Sequence, residues 1–200
     1  MSIQAIQTHY DGYHFRSRLE ARWAVFFNTA NIPYRYEHQG YKTPHGFFLP
    51  DFEFDLYVGT KFFEVKPNSW FKDTSDSYFL DCKRQSYVAE NTGIPLVISG
   101  DFASLSKLDS SGRAGNSDTD GMHIEFPDGS GDYLYEFTVC PACLEIGIEF
   151  EARAARMTCC TLNPEKLKGD WDHQGDHVKL LDAYTAALSA RFEHGEKPAA

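Results

Sequence analysis

The stretch FLPDFEFDLYVGTKFFEVKP, residues 48–67, decides how this chain is read. Side chains alternate along a strand, so Phe52, Phe54 and Leu56 share one face and Asp51, Glu53 and Asp55 the other. A second strand follows and ends in Glu64-Val65-Lys66. Two opposite charges in an otherwise aromatic, buried strand need a task. The pattern predicts strands over 47–57 and 60–66. A two-residue turn at Val58-Gly59, or a four-residue loop from Tyr57 to Thr60, places Asp51 opposite Lys66. It also pairs Glu64 with Glu53, diagonal to Asp51 at roughly 7–8 Å between backbones. Asp51, Glu64 and Lys66 then lie on one face. Two carboxylates at that spacing can share a hard cation, and oxygen ligands favour Mg²⁺ or Mn²⁺ over zinc. Phosphodiester hydrolysis fits this set. The metal polarises phosphate and acidifies a bound water. Lys66 orients that water or stabilises charge on the phosphate oxygens, and the Val65 carbonyl offers a further oxygen.

The elements around the stretch follow from periodicity. Leu19, Trp23, Phe26 and Phe27 recur at helical spacing in FRSRLEARWAVFFNT, and Ser17 with Glu20 forms a capping-box pattern. A helix is expected from there to the NIP at 31–33. YRYEHQGY reads as a strand, SYFLDCKRQSYVAENT as a helix stopped by Gly93, and IPLVISG as a short buried strand. The order is helix, three strands, helix, strand, a mixed α/β core with a mixed sheet. SKLDSSGRAGNSDTDG reads as a loop or linker. MHIEF and YLYEFTV flank PDGSGD as a further hairpin, and a last helix is expected near 176–193. The expected organisation is a core over 1–104, a flexible linker over 105–121, and a C-terminal appendage over 122–194. That appendage combines the hairpin, a cysteine-rich segment and the helix. The closing GEKPAA is expected to be disordered.

Pro50-Asp51, twelve residues, then Glu64-Val65-Lys66 resembles the PD-(D/E)xK, or restriction-endonuclease-like, nuclease superfamily, whose αβββαβ core matches the order above. Many of those enzymes carry an acid on the first helix, where Glu20 stands. The layout S-x-L-E, PDF, EVKP looks like transposon-end endonucleases and related phage and mobile-element proteins. RSRLEARWAVFF and ARFEHGE look like a phage and prophage branch. The core resemblance covers residues 15–100. It implies a Mg²⁺-dependent endonuclease acting on DNA, with Glu20, Asp51, Glu64 and Lys66 catalytic and Asp51, Glu64 and the Val65 backbone around the metal. Arg16, Arg18 and Arg22 on the first helix are candidate phosphate contacts. Lys83, Arg84 and Gln85 lie on the helix that often lines the cleft in this superfamily. Gln85-Ser86-Tyr87 departs from the Gln-x-x-x-Tyr spacing of some exonuclease branches. Trp70 and Phe71 are read first as packing residues and second as base-stacking ones.

Five cysteines do not make a disulfide framework, and four of them, Cys140, Cys143, Cys159 and Cys160, cluster. In a cytosolic chain such spacing points to metal, and four thiolates suit a structural zinc. Cys140, Cys143 and Cys159 are the comfortable ligands, with Cys160, His173 or His177 as the fourth. The chain has 200 residues, 42% of them hydrophobic, and carries a net charge of -10, enough apolar content for a packed core. Residues 1–100 hold 10 Lys+Arg against 11 Asp+Glu, and residues 101–200 hold 9 against 18. A basic cleft therefore belongs to the first half, and the acidic second half suits support or a protein partner. No run reaches the roughly 18 apolar residues of a membrane span, and the N-terminus has no signal-peptide pattern. A cytoplasmic protein with no membrane association is expected, acting alone, as a homodimer or with a partner.

Overall fold

Ser17 and Asn31 set the limits of the first helix. The computed structural model describes residues 6–101, 122–160 and 173–192. In it, helix α1 runs Arg18–Ala30, with the Glu20 N–H donating to the Ser17 hydroxyl at 3.1 Å and Asn31 in the left-handed region at φ 58°. These are the two cheapest ways to end a helix, a hydroxyl N-cap and a left-handed C-cap. Helix α2, Asp76–Thr92, repeats the device with Ser75 and with Gly93 at φ 71°. Helix α3, Val178–Ser189, is capped by the His177 ring. No helix among the described residues is long and apolar enough to cross a membrane.

Eleven described strands join these helices. They are β1 Thr8–Tyr10, β2 Tyr13–Phe15, β3 Tyr34–Tyr36, β4 Tyr41–Thr43, β5 Gly46–Phe48, β6 Phe52–Leu56, β7 Gly59–Val65, β8 Leu96–Ser99, β9 Met122–Glu125, β10 Gly131–Val139 and β11 Ile146–Phe150. Seven form one sheet in the order β11-β10-β9-β8-β7-β6-β3. β7 and β8 pair in parallel and the other described pairs of this sheet are antiparallel. The parallel pair requires a crossover, and α2 supplies it. Between α1 and β8 the principal elements run helix, strand β3, strand β6, strand β7, helix, strand.

The strand expected over 47–57 is two strands in two sheets. β5 pairs with β4 in a separate hairpin, and the chain turns at Leu49-Pro50-Asp51 before β6. Pro50 has no N–H to donate to a continuing ladder, which makes it a natural breakpoint. The hairpin register also differs from expectation. Leu56 pairs with Gly59 and Phe52 with Phe63, so Tyr57 and Val58 form the turn. Gly59 takes φ +101°, a conformation that side chains resist, and this fixes where the turn falls. The pairing moves by two residues, so every side chain keeps its face. Asp51 consequently sits beside Glu64 instead of opposite Lys66.

The sheet buries different things on its two faces. On one, α1 and α3 pack together over Phe52, Phe54, Phe63, Val97, Phe137 and Ile148. Trp23 meets Phe63 at 4.8 Å, and Phe26 meets Tyr184 of α3 at 4.7 Å. On the other, α2 lays Val88 and Ala89 against Phe62, Leu96 and Ile98, with Phe48 of the β4–β5 hairpin beside them. The expected C-terminal appendage is thus no separate body. β9, β10 and β11 continue the same sheet and α3 closes the same core, because α1 has apolar residues on more sides than the sheet alone can cover. The expected linker over 105–121 and the GEKPAA tail lie outside the described residues.

Candidate functional site

Asp51 is the last residue before β6, Glu64 the penultimate residue of β7, and Lys66 the first residue beyond it. The hairpin brings all three to the end of the ladder next to β8, where the Lys66 N–H donates to the Ser99 carbonyl at 2.8 Å. Asp51 is 2% exposed and Glu64 5% exposed. Backbone groups tie them together: the Val65 N–H donates to Asp51 Oδ2 at 2.8 Å, and the Asp51 N–H donates to Glu64 Oε2 at 3.3 Å. The expected grouping of Asp51, Glu64 and Lys66 is therefore present, with the two acids adjacent.

Electrostatics makes this pair uncomfortable. Burial, aided by the charges of Glu64 and Glu20, pushes the Asp51 carboxyl well above the usual range, and the Val65 N–H and Arg16 only partly oppose this. Burial also raises Glu64, against the pull of Lys66. Lys66 lies 3.0 Å from Glu64 Oε1 and 3.3 Å from Asp81 Oδ2. Burial disfavours its ammonium, but Glu64 and Asp81 outweigh burial and hold its pKa above the ordinary value. The Trp70 ring lies 5.8 Å from Nζ, a cation–π distance. Lys66 is a fixed cation at neutral pH and has no proton-accepting capacity to offer there.

Arg16 sits at the open side. Its Nη2 is 2.5 Å from Asp51 Oδ1 and its Nε 2.7 Å from Glu37. Glu20 is occupied differently from expectation. Its Oε1 accepts from the Ser17 hydroxyl at 2.7 Å, and its Oε2 accepts from the Tyr36 hydroxyl at 2.6 Å and the Arg16 N–H at 3.0 Å. Both oxygens are committed to closing the helix start, so Glu20 reaches Asp51 through its field and its placement is that of a cap. The structure brings together no group of three carboxylate ligands here among the described residues.

The residues expected on α2 divide. Lys83 is exposed on the solvent side. Arg84 is spent on the fold: its Nε donates to the His45 carbonyl at 2.8 Å and its Nη1 pairs with Asp81 at 2.7 Å. Gln85 is fully buried, and neither amide atom has a hydrogen-bond partner. It cannot touch a substrate from there. Trp70 and Phe71 pack against the α2-side core, as their first reading had it. Arg18 and Arg22 line a cleft away from the acids. Asp81, which steadies Lys66 from α2, was invisible in the sequence, because nothing in FLDCKRQ singles out which helix position meets the β7 terminus.

The cysteines form the second centre. Cys140 is the first residue after β10, Cys143 follows in the turn to β11, and Cys159 and Cys160 follow a short 3-10 turn at Ala154–Arg156. The four sulfurs all lie within 4.8 Å of one another and cluster as a possible metal site. Cys140 and Cys160 are 3.6 Å apart and Cys143 and Cys159 3.3 Å, none of them disulfide-bonded. Burial raises the Cys140 thiol, but hydrogen bonds from the Cys143 and Ala142 backbone outweigh it and bring it to about 7. Cys160 completes the set, and the histidines do not. His173 Nδ1 contacts the Glu151 carbonyl and His177 Nδ1 accepts from the Lys179 N–H. The β6–β7 turn touches this centre: the Tyr57 hydroxyl donates to Glu149 at 3.2 Å and accepts from the Thr158 N–H at 3.3 Å. No family model, curated protein or solved structure matches the chain.

Proposed function

We propose that the chain is a divalent-metal-dependent endonuclease of the restriction-endonuclease-like class, acting on DNA. The observation that carries this reading is the adjacent buried pair Asp51 and Glu64, both with raised pKa, beside the fixed cation Lys66. Buried like charges are stable only with a counter-cation or a proton. An all-oxygen pair of this kind suits Mg²⁺ or Mn²⁺, which keeps several waters and takes one or two carboxylates. Asp51 Oδ1 and Glu64 would hold the ion, with the Val65 carbonyl as a further oxygen. Once bound, such an ion polarises phosphate and lowers the pKa of a coordinated water. The chain's own residues do the rest. The Val65 N–H fixes the Asp51 carboxylate by its other oxygen. Lys66 donates to the attacking water or to a phosphate oxygen, and Asp81 keeps its ammonium aimed and charged. Arg16, held 2.5 Å from Asp51 at the open side, would be placed to meet phosphate if a cation took its place on that carboxylate. The helix–three-strand–helix–strand order also supports the superfamily resemblance.

The four cysteines would hold a structural zinc. Zinc–sulfur bonds of about 2.3 Å in a tetrahedron put sulfurs about 3.8 Å apart, close to the spacing seen, and the site keeps no open position.

One observation favours a second reading, a non-catalytic DNA- or protein-binding module of the same architecture. Arg16 already occupies the Asp51 oxygen that a cation would need, with Glu20 engaged as a cap. The test is incubation of supercoiled plasmid and single-stranded circular DNA with Mg²⁺, Mn²⁺ or EDTA, with Lys66→Ala as control. Metal-dependent nicking by the wild type and silence of the variant support the nuclease. Equal inertness of both proteins, with retained DNA or protein binding, supports the module.

A further inference from the structure

Arg18 and Arg22 stand one turn apart on α1, and residues i and i+4 share a helix face. Opposite them the chain leaves α3 through Leu188, Ala190, Arg191 and Phe192. These six residues line a cleft of about 150 Å³. Among the described residues none of the lining is acidic, in a protein of net charge -10. The cleft is braced from beneath. Ala190 is 2% exposed, and Phe192 is buried with its ring against Tyr10 at 6.1 Å. The backbone that presents Arg191 is therefore anchored in the core on both sides. Arg22 Nε is buried without a hydrogen-bond partner, and neither Arg22 nor Arg191 forms an ion pair among the described residues. A buried guanidinium donor without an acceptor is costly unless a ligand completes it.

We infer that this cleft is an anion site for a phosphomonoester, the terminal phosphate of a nucleic-acid strand. Two guanidinium groups that form no ion pair among the described residues, those of Arg22 and Arg191, face one small space and match a dianion, and a phosphomonoester carries about -1.5 to -2 at neutral pH where an internal diester carries one charge. Guanidinium forks bind such oxygens in pairs. The anion site stands on the arginines alone, whereas its assignment to a strand end rests on the nuclease reading above. It would let the protein engage a strand by its end before, or without, cutting it.

The test is equilibrium binding of the full chain in EDTA, so that cleavage plays no part. Fluorescence anisotropy compares one short oligonucleotide carrying a 5′-phosphate, a 3′-phosphate or only hydroxyl ends, with inorganic phosphate as competitor. The expected result is a preference for one phosphorylated end of about ten-fold or more. Arg22→Ala and Arg191→Ala each reduce that preference towards one, and Arg191→Ala binds the hydroxyl-ended strand as the wild type does. Arg191→Ala alters an exposed side chain, so it reports even if Arg22→Ala perturbs folding. Equal binding of phosphorylated and hydroxyl ends by the wild type overturns the proposal, as does a preference that survives Arg191→Ala. Competition by inorganic phosphate without any end preference overturns the strand-end assignment. An end preference in a protein that cuts neither plasmid nor circular DNA would sink the endonuclease reading and leave the anion site standing.

Discussion

Replacing Lys66 by Met removes a charge while keeping most of the stem, and the cost should be carried by the carboxylate left behind. Lys66 Nζ lies 3.0 Å from Glu64 Oε1, with side-chain exposures of 16% and 7%. Two unit charges at that distance attract by about 5 kcal/mol at an effective dielectric of about 20. Release of the lysine's own desolvation offsets part of this, so Lys66→Met should destabilise by about 3–5 kcal/mol at neutral pH, the range for breaking a buried pair on one side. Asp81 is 29% exposed and adds less. The pH dependence has a definite sign. Glu64 already has a raised pKa from burial, opposed by Lys66. Without Lys66 it rises further, so the folded variant takes up a proton that the unfolded chain releases. The deficit is then largest near neutrality and shrinks as pH falls towards the ordinary carboxylate value of about 4.3. Lys66, with its own pKa raised, is charged in both states below its unfolded value of about 10.4 and does not complicate that window. Urea denaturation in EDTA, followed by tryptophan fluorescence across that range, measures it. The double variant Glu64→Gln with Lys66→Met should recover all but about 1–2 kcal/mol. A Lys66→Met deficit that is independent of pH, or a double variant no more stable than the single, refutes the buried-pair account.

Asp51→Asn should stabilise the metal-free protein at neutral pH. An acid raised on folding makes stability fall as pH rises from its unfolded pKa through its folded one, and Asn removes that slope. The same variant should lose the rise in Tm that Mg²⁺ or Mn²⁺ gives the wild type, read by thermal melts with and without EDTA. Cys160→Ser should lower bound zinc, measured by elemental analysis of the purified chain, whereas His177→Ala should leave metal content unchanged and cost only about 1 kcal/mol for the lost cap. Tyr36→Phe should cost about 1–2 kcal/mol in urea denaturation, because it strips a hydrogen bond from the buried Glu20 carboxylate. Gly46→Ala should cost more than about 1 kcal/mol. Gly46 has φ +114°, and a Cβ there would meet Arg84 Nε at 3.3 Å.

The grouping of Asp51, Glu64 and Lys66 was legible because strand alternation has a period of two, and a register error of two residues preserves it. The register itself was not legible. It depends on Gly59 taking a left-handed conformation, and either Val58-Gly59 or Tyr57-Val58 could have been the turn centre. The helix start at Ser17 was written in local chemistry and fell where its hydroxyl cap allows, whereas the second helix, read from SYFLD at 77, starts at Asp76 under a Ser75 cap. The β1–β2 hairpin also had a local signal, Asp11-Gly12, both at positive φ, which went unread between two short strands. What tertiary packing decides could not be read. Asp81 reaches Lys66, Gln85 turns inward and Arg84 is consumed by the β4–β5 hairpin, yet all three look alike on one helix. Glu20 was ambiguous for a physical reason. A capping box and a metal ligand ask for the same residue at the same position, and the hydrogen bond from the Tyr36 hydroxyl, sixteen residues away, could not be read locally. The cysteine spacing named the centre, but that the adjacent Cys159 and Cys160 both join it is visible only in the structure.

The packing of α3 on α1 has a consequence for synthesis. Phe26 rests between Phe137 at 4.9 Å and Tyr184 at 4.7 Å, and both contacts come from the second half of the chain. As the polypeptide leaves the ribosome, α1 has no cover for that flank until α3 has emerged. Arg16, Ser17 and Glu20 lie at the start of the same helix, so the helix that presents them completes its packing only when the second half of the chain arrives. A nascent chain stalled near residue 104 would carry Asp51, Glu64, Lys66 and Asp81, yet it would present the aromatic flank of α1 to chaperones, because Phe137 and Tyr184 are still to come.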